Sequence, residues 1–245
     1  MINIVVPAAG EGRRFIEAGF VKPKPFIDVL GKPMICHVLD NLNMDKACFI
    51  LLIRGEHFDS ENKIINDIKK SFNARFIPVD KLTEGAACTV LLARKYIDNN
   101  SPLLIANSDQ LVDTRITDFI SDSDTRGLDG SIMCFEDNHT KWSYAKTDSG
   151  GYVTLVREKE VISKNATAGL YYFREGRVFT ENAVDMIVRN DRVNNEFYAA
   201  PVYNYAIKAG KKFGVFLIDK KAMHGLGTPA DLMNYITDKK GGKAS

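Results

Sequence analysis

The sequence predicts an α/β fold, with a doubly wound, mostly parallel sheet flanked by helices and a small antiparallel subdomain. Three observations predict it. The chain begins with a continuous apolar run that ends at a glycine, which is typical of a strand buried on both faces. Strand-like and helix-like segments alternate over about the first 110 residues. Beyond them, short apolar segments separated by turn-forming residues indicate antiparallel strands.

The first half alternates between strands and helices. The apolar run INIVVPA, residues 2–8, predicts the first strand, and Gly10 follows it. A helix is expected from Pro33, because proline is favoured at the first helical position and apolar residues then recur at helical spacing. The next elements are expected as a strand at 47–53, a helix at 60–72, a strand at 74–79, a helix at 86–97 and a strand at 102–109.

The second half has the rhythm of an antiparallel sheet. In GTPADL, Thr228 can cap a last helix, with Pro229 at its first position and Asp231 three residues after the cap. Between the strands, GRVFTENAVDMIVRN indicates a helix at 176–190. Short strands are expected at 130–135, 143–148, 151–158 and 167–173, and a later one at 212–219.

Length, composition and charge limit the possible classes of protein. The 245 residues, 45% of them hydrophobic, fit one domain over 1–238, with halves 1–125 and 126–238 and a flexible tail at 239–245. A net charge of +2 gives no reason to expect nucleic acid or an anionic membrane as a partner. The longest apolar runs are far shorter than the ~20 residues of a membrane span, so we expect a soluble cytoplasmic protein. Four separated cysteines without a CxxC motif indicate free thiols, namely Cys36, Cys48, Cys88 and Cys134.

The stretch after the first strand has the chemistry of a phosphate-binding loop. Gly10 and Gly12 leave the carboxyl end of the strand, where α/β sheets bind ligands, and flexible backbone there can close on phosphate oxygens. Arg13 and Arg14 add positive charge. Phe15 stands where a dinucleotide-binding fingerprint needs a third glycine, and the P-loop pattern GxxxxGK[ST] does not occur.

The whole constellation PAAGEGRRF…KPKPFIDVLGKPMI resembles the signature of the sugar nucleotidyltransferases, such as the glucose-1-phosphate thymidylyl- and uridylyltransferases. Five further segments resemble family motifs in the same order, over about residues 2–234. They are EGAACTVLLA, ANSDQ, VREKE, ATAGLYYF and GLGTPADL. The resemblance implies a Rossmann-like, GT-A-like fold, with a nucleotide-binding half at 1–125 and an acceptor-binding half at 126–238.

The resemblance also implies a reaction. An acceptor phosphate attacks the α-phosphorus of a nucleoside triphosphate (NTP) and pyrophosphate leaves, a task for fixed cations and Mg²⁺ rather than a covalent nucleophile. Arg14 and Lys24 match the family's catalytic cations, whereas Lys22 and Lys32 are expected to be structural. Asp109 matches a metal-binding aspartate, but Gly225 replaces the second metal carboxylate, for which Asp219 is a possible substitute.

The remaining site residues are inferred either from a match to a family motif or from their position near such a motif in the sequence. The nucleotide is expected to contact Ala8, Ala9, Gly10, Gly12, Arg13, Asp80, Glu84, Gly85, Ala86 and Ser108. The acceptor, a sugar phosphate or another phosphorylated precursor of capsule or surface polysaccharide, is expected to contact Glu158, Lys159, Gly169, Arg192 and Glu196. Trp142 is expected to pack in the core.

Asp80 stands where thymidylyltransferases carry a base-reading glutamine. A carboxylate only accepts hydrogen bonds, which favours cytosine's amino group and therefore CTP as the donor of a CMP group. One alternative is a UTP- or dTTP-using sugar-1-phosphate nucleotidyltransferase. Others are a GT-A glycosyltransferase, although Asp-Gln-Leu at 109–111 lacks the second aspartate of a DxD, and a non-catalytic nucleotide-binding regulator.

Overall fold

A nine-stranded mixed sheet runs through the computed structural model, which describes residues 1–241. Its strands, together with those of two small two-stranded sheets, are β1 Ile2–Ala8, β2 Asp28–Val29, β3 Lys32–Pro33, β4 Ala47–Arg54, β5 Ala74–Val79, β6 Leu103–Ala106, β7 Gln110–Val112, β8 Gly130–Glu136, β9 Ser143–Thr147, β10 Val153–Glu158, β11 Asn165–Phe173, β12 Phe213–Ile218 and β13 Met223–Gly225.

Helices cover the sheet. They are α1 Arg13–Glu17, α2 Met34–Leu42, α3 His57–Ser60, α4 Asn62–Ser71, α5 Ala86–Leu91, α6 Arg94–Ile97, α7 Ile116–Thr125, α8 Gly176–Val188, α9 Val202–Lys208 and α10 Pro229–Gly241, with 3-10 turns at Lys24–Phe26 and Lys220–Ala222. Within the described residues, no helix is both long and apolar enough to cross a bilayer.

The order of the strands confirms the predicted fold class. The main path is β10-β9-β11-β6-β1-β4-β5, in which β6, β1, β4 and β5 are parallel neighbours. β11 joins the second half to this core, because it pairs antiparallel with β6, β8 and β9. The second half is not wholly antiparallel, since β12 pairs with β8 in parallel.

The first strand shows why a parallel core needs a continuous apolar run. Ile4 and Val6 face one hydrophobic cluster, while Val5 faces a second cluster on the other side of the sheet. All three side chains are fully buried. A strand covered by helices on both faces is mostly apolar, and the one polar residue of β1, Asn3, donates from its amide to the Tyr96 carbonyl at 3.3 Å.

Local sequence patterns predicted most of the longer strands and helices, and the differences described next concern helices. The helix predicted at 86–97 is two short helices, α5 and α6, separated at Leu92–Ala93. The helix α7 was missed because its sequence, ITDFISDSDT, is rich in serine and aspartate, which favour caps and turns. The helix α9 was missed as well, although it buries Val202, Tyr203 and Ala206.

The last helix begins as predicted and extends further than predicted. The backbone N–H of Asp231 donates to Thr228 Oγ1 (3.1 Å), so Thr228 caps the helix, and its hydroxyl donates to Asp231 Oδ2 (2.7 Å). Because α10 continues to Gly241, residues 239–241 are helical rather than part of a flexible tail. The rest of the predicted tail, 242–245, lies outside the described residues.

Gly169 marks the close approach of β11 to the end of β6. Its φ is +72°, and a Cβ built on it would lie 1.6 Å from Gln110 Oε1 and 2.6 Å from Asn107 Nδ2. Its carbonyl accepts from the N–H of Asn107 at 3.0 Å. The left-handed conformation therefore favours glycine here, and a side chain would also displace the ends of the Gln110 and Asn107 side chains.

We predict that Gly169→Ala lowers the free energy of unfolding by about 3 kcal/mol, the sum of left-handed strain and steric overlap. Gly210→Ala is the matched control, because Gly210 also has positive φ (+86°) but has no atom within 4 Å of its built Cβ. It should cost only about 1 kcal/mol. Denaturant unfolding of both variants measures the difference, and equal losses would show that the overlap is relieved at no cost.

Candidate active site

A cavity of about 590 Å³ opens where β1 and β6 end and extends to β9 and β10. Both halves of the chain contribute to its wall. The charged side chains that line it are Arg14, Lys24, Asp109, Lys141, Glu158, Lys159 and Asp231. Four of them are cationic and three are anionic, so the cavity has cations for anionic ligands and carboxylates for a metal ion.

The loop after β1 brings its backbone close to Lys24. Gly12 has a left-handed φ of +66°, and a Cβ on it would lie 3.2 Å from Lys24 Cβ. Arg14 follows in α1 and lines the cavity, while exposed Arg13 pairs with Glu11 at 2.6 Å. Of the two loop arginines, Arg14 is therefore the one whose guanidinium is placed beside the cavity.

Lys24 and Asp109 form an ion pair inside the cavity. Their side chains are 20% and 21% exposed, so solvent screens this pair less than an exposed one. Lys24 Nζ also lies 5.8 Å from the centre of the Phe15 ring. The pair joins the loop that follows β1 to the end of β6, 85 residues later in the chain.

Asp109 is also held by the segment that follows β13. The N–H of Leu226 donates to the Asp109 carbonyl at 2.7 Å, and a Cβ on Gly227 would lie 3.0 Å from Asp109 Oδ2. Gly225 pairs with Gln110 across the small sheet of β13 and β7. No atom lies within 4 Å of a Cβ built on Gly225, so an aspartate would fit where this chain has glycine.

The donor set fits a magnesium site that the substrate completes. Within residues 1–241 no group of three or more His, Cys, Asp and Glu side chains could hold a metal ion. Mg²⁺ is commonly held by one or two carboxylates together with phosphate oxygens, and Asp109 and Asp231 both line the cavity. Asp219 is used elsewhere, since its carboxylate caps the 3-10 turn by accepting from Lys221 N–H. The sequence did not single out Asp231 as a ligand because its capping role explained it.

Glu158 and Lys159 lie at the end of β10 and line the other side of the cavity. The Ser143 hydroxyl donates to Glu158, its cross-strand neighbour. Burial raises the pKa of the Glu158 carboxyl, against the opposing effects of Ser143 and Lys159. Lys159 donates to the Tyr198 hydroxyl at 2.8 Å, and this hydrogen bond raises the pKa of the lysine.

The residues expected to contact nucleotide are distributed unevenly. Ala86 lines the main cavity, and Gly10 lines a neighbouring cavity of about 300 Å³ that shares Lys24. Ala8 and Ala9 are buried beneath the loop, and Ser108 is half-buried beside Asp109. Asp80 and Glu84 are exposed, and neither belongs to the described lining of the main cavity.

Arg192 lies beside the nucleotide side of the cavity, whereas Glu196 lies near the acceptor side. Arg192 pairs with Glu84 at 2.8 Å and therefore lies beside the segment expected to bind the base. Glu196 is exposed and, like Arg192, lies outside the described lining. Its negative charge nevertheless adds to the effect of burial in raising the pKa of the Glu158 carboxyl, so Glu196 lies near the acceptor side. Arg192 is interpreted as an acceptor ligand only from its position before NNEFY, and proximity in sequence did not indicate the direction in which the loop folds.

Several lining residues were not predicted as site residues. They include Asn107, Gln110, Tyr198 and Asp231. Asn107 and Gln110 flank Asp109, so the polar end of β6 was a usable signal. Trp142 packs edge-to-face on Phe135 at 5.2 Å, as expected of a core residue, and it also lines the cavity.

The fold and the site define an α/β protein whose cavity, at the ends of parallel strands, presents cations and carboxylates contributed by both halves of the chain. Residues 3–240 match the family model described as nucleotidyl transferase, and the chain belongs to this family. The resemblance expected from the motifs is thereby confirmed.

A curated relative is similar to much of this chain. The chain is 25% identical to mannose-1-phosphate guanyltransferase beta-A of Xenopus laevis over 178 aligned residues. The alignment covers 70% of this chain and 49% of that protein. The chain therefore spans about half the length of the curated relatives that it matches.

Two solved structures share the fold over nearly the whole chain. A nucleoside-diphosphate-sugar pyrophosphorylase from Vibrio cholerae has a TM-score of 0.81 at 23% identity, covering 97% of this chain and all of that one. A UDP-glucose pyrophosphorylase complexed with UDP-glucose has a TM-score of 0.79 at 16% identity, covering 98% and 99%. At these identities the likeness shows the fold.

The raised pKa of Glu158 predicts that this carboxyl makes the free energy of unfolding depend on pH. A carboxyl with a raised pKa in the folded state contributes stability below its unfolded pKa, and this contribution is lost as pH rises through the folded pKa. We expect the stability of the wild type relative to Glu158→Gln to fall between about pH 4 and about pH 8. Chemical denaturation at the two pH values, with exposed Glu181→Gln as the control, measures it. A pH-independent difference would contradict the buried position of this carboxyl.

Proposed function

We propose that the protein is a nucleotidyltransferase. It transfers a nucleoside monophosphate from an NTP to a phosphorylated small-molecule acceptor and releases pyrophosphate. The observation that carries the proposal is that one cavity contains Arg14 and the Lys24–Asp109 pair together with Glu158 and Lys159. Arg14 and the Lys24–Asp109 pair are suited to a triphosphate and its metal. Glu158 and Lys159 are suited to a second, phosphorylated substrate.

Positioning and charge neutralisation are the chemistry that this site can supply. Two phosphate groups repel each other, and the leaving pyrophosphate gains negative charge in the transition state. Arg14 neutralises the leaving phosphates, and Lys24 contacts the α-phosphate. Asp109 would hold Mg²⁺, with Asp231 the other carboxylate nearby, and the ion would add positive charge where the phosphates lie.

The acceptor is proposed to be a sugar 1-phosphate. Lys159 would bind its phosphate, and Glu158 and Ser143 would hydrogen-bond its hydroxyl groups. The names of the relatives support a sugar, since they act on mannose 1-phosphate or form a nucleoside-diphosphate sugar.

The donor nucleotide is proposed to carry a base other than cytosine. None of the relatives described above carries a cytidine nucleotide in its name, whereas guanyl and UDP groups are named. Asp80, on which the cytidine interpretation depended, is exposed, and it is absent from the described lining of the cavity. Because the motifs resemble those of the thymidylyl- and uridylyltransferases rather than of a guanyltransferase, we propose UTP or dTTP as the donor.

Pyrophosphate release, measured with CTP, UTP, dTTP, ATP and GTP against a panel of phosphorylated acceptors, tests the proposal. We expect release with UTP or dTTP that depends on a sugar 1-phosphate. A preference for CTP that disappears in Asp80→Ala would restore the cytidine interpretation. If no combination releases pyrophosphate, the chain is not the enzyme proposed here.

We predict that Arg14→Ala and Lys24→Ala each reduce turnover by about 10²–10³-fold, because a preorganised charge commonly contributes ~3–4 kcal/mol to such a transition state. Lys32→Ala is the control, since Lys32 pairs with Asp40 at the surface. The assay is steady-state pyrophosphate release, with circular dichroism to verify folding. Wild-type rates in both variants would remove these side chains from the mechanism.

We predict that turnover requires Mg²⁺ or Mn²⁺ and that Asp109→Asn weakens metal binding as well as turnover. The physical reason is that an amide lacks the negative charge that holds a hard cation. Mn²⁺ binding followed by electron paramagnetic resonance in the presence of NTP provides a readout without catalysis. Asp118→Asn, at an exposed helix position, is the control. Undiminished Mn²⁺ affinity in Asp109→Asn would contradict the metal assignment.

A further inference from the structure

Residues 192–198, here called the bridging segment, lie against the loop expected to bind the base, residues 83–86. The N–H of Phe197 donates to the Glu84 carbonyl at 2.7 Å, and the Phe197 carbonyl accepts from the N–H of Ala87 at 2.9 Å. The ring of Phe197 is buried. Two backbone hydrogen bonds therefore attach the acceptor half of the chain directly to the nucleotide half.

Gly85 permits this contact. Its φ is +129°, and a Cβ on it would lie 2.5 Å from the Phe197 carbonyl oxygen and 2.6 Å from its nitrogen. A side chain at this position would push the two backbones apart. The family-like glycine is thus explained by the bridging segment as well as by any ligand.

Side chains reinforce the same contact. Arg192 pairs with Glu84 at 2.8 Å, and its guanidinium lies 4.3 Å from the centre of the Phe197 ring. The side chains of Arg192 and Glu84 are 31% and 63% exposed, so the pair is a surface pair of modest strength. An arginine engaged with a carboxylate and an aromatic ring is a structural clamp rather than a free cation for a phosphate.

The other end of the bridging segment reaches the acceptor side. Tyr198 lines the main cavity, and its hydroxyl accepts from Lys159 Nζ at 2.8 Å. The ammonium also lies 5.0 Å from the centre of the Tyr198 ring. Seven consecutive residues thus connect Glu84, in the loop expected to bind the base, to Lys159, on the acceptor side of the cavity.

We propose that the bridging segment is a positioning device, in which Arg192 acts through Glu84 on the nucleotide and Tyr198 acts through Lys159 on the acceptor. This inference rests on the proposed function, since it names the two substrates by their sites. Its consequence is that NTP affinity depends on a residue of the acceptor half, and that neither Arg192 nor Tyr198 is needed for the chemical step itself.

Steady-state kinetics of three single variants and one double variant test the device. Arg192→Gln should raise KM for NTP by about fivefold, the upper range for a surface ion pair, with kcat within about twofold of wild type. Glu84→Gln should do the same, and the double variant should be no worse than either single one. Tyr198→Phe should raise KM for the acceptor and leave KM for NTP unchanged. Arg189→Gln, at an exposed position nearby, is the control.

A second measurement needs no substrate. Hydrogen–deuterium exchange at the amides of Ala87 and Phe197 should be faster in Arg192→Gln than in wild type and Arg189→Gln, because the clamp on these backbone hydrogen bonds is weakened. Unchanged exchange would overturn the proposal, as would a rise in KM for the acceptor rather than for NTP in Arg192→Gln. If the wild type releases no pyrophosphate, the proposed function fails, while exchange still decides whether the segment clamps the loop.

Discussion

The ion pair of Lys24 and Asp109 is the interaction on which the site depends. It joins the loop after the first strand to the end of β6, and it lies where solvent screening is reduced. The loop can reach it because Gly12 has no side chain to keep its backbone away from Lys24. On the other side, the N–H of Leu226 holds Asp109 through its carbonyl, and Gly227 leaves room for the Asp109 carboxylate, which lines the cavity. In the proposed reaction, a bound triphosphate would pair with Lys24, and its metal ion would pair with Asp109. Before the substrate binds, the opposite charges of Lys24 and Asp109 compensate each other.

The two halves of the chain are joined at both ends of the cavity. β11 pairs with β6 and so extends the parallel core into the second half. At the opposite end, the contact of Phe197 with Glu84 and Gly85 brings the acceptor half back onto the loop expected to bind the base. Two substrates bound between such connections would be held at a fixed separation, which is what a direct transfer between phosphates requires.

Local signals predicted much of this structure, and long-range contacts account for what they missed. The strand β1 and the helix α2 were predictable because burial on both faces, or on one helical face, leaves a periodic apolar pattern. Arg14, Lys24, Asp109 and Lys159 were recognisable because each lies within a motif, and the structure brings them to one cavity. The positions of Arg192 and Tyr198 were not, since the direction of the loop after α8 is set by its contact with Gly85, about 110 residues earlier in the chain. Asp231 was not predicted as a site residue, because its position at the start of the last helix indicated only a role in capping that helix.

Isotope exchange between labelled pyrophosphate and NTP tests the central claim, a direct transfer between two substrates held in one cavity. If the acceptor phosphate attacks the NTP without a covalent intermediate on the protein, label enters NTP only when the phosphorylated acceptor is also present. The account predicts no exchange with NTP and Mg²⁺ alone and rapid exchange once the acceptor is added. Exchange without acceptor would show that a side chain of the protein takes the nucleotide first, and it would contradict the mechanism derived from this site.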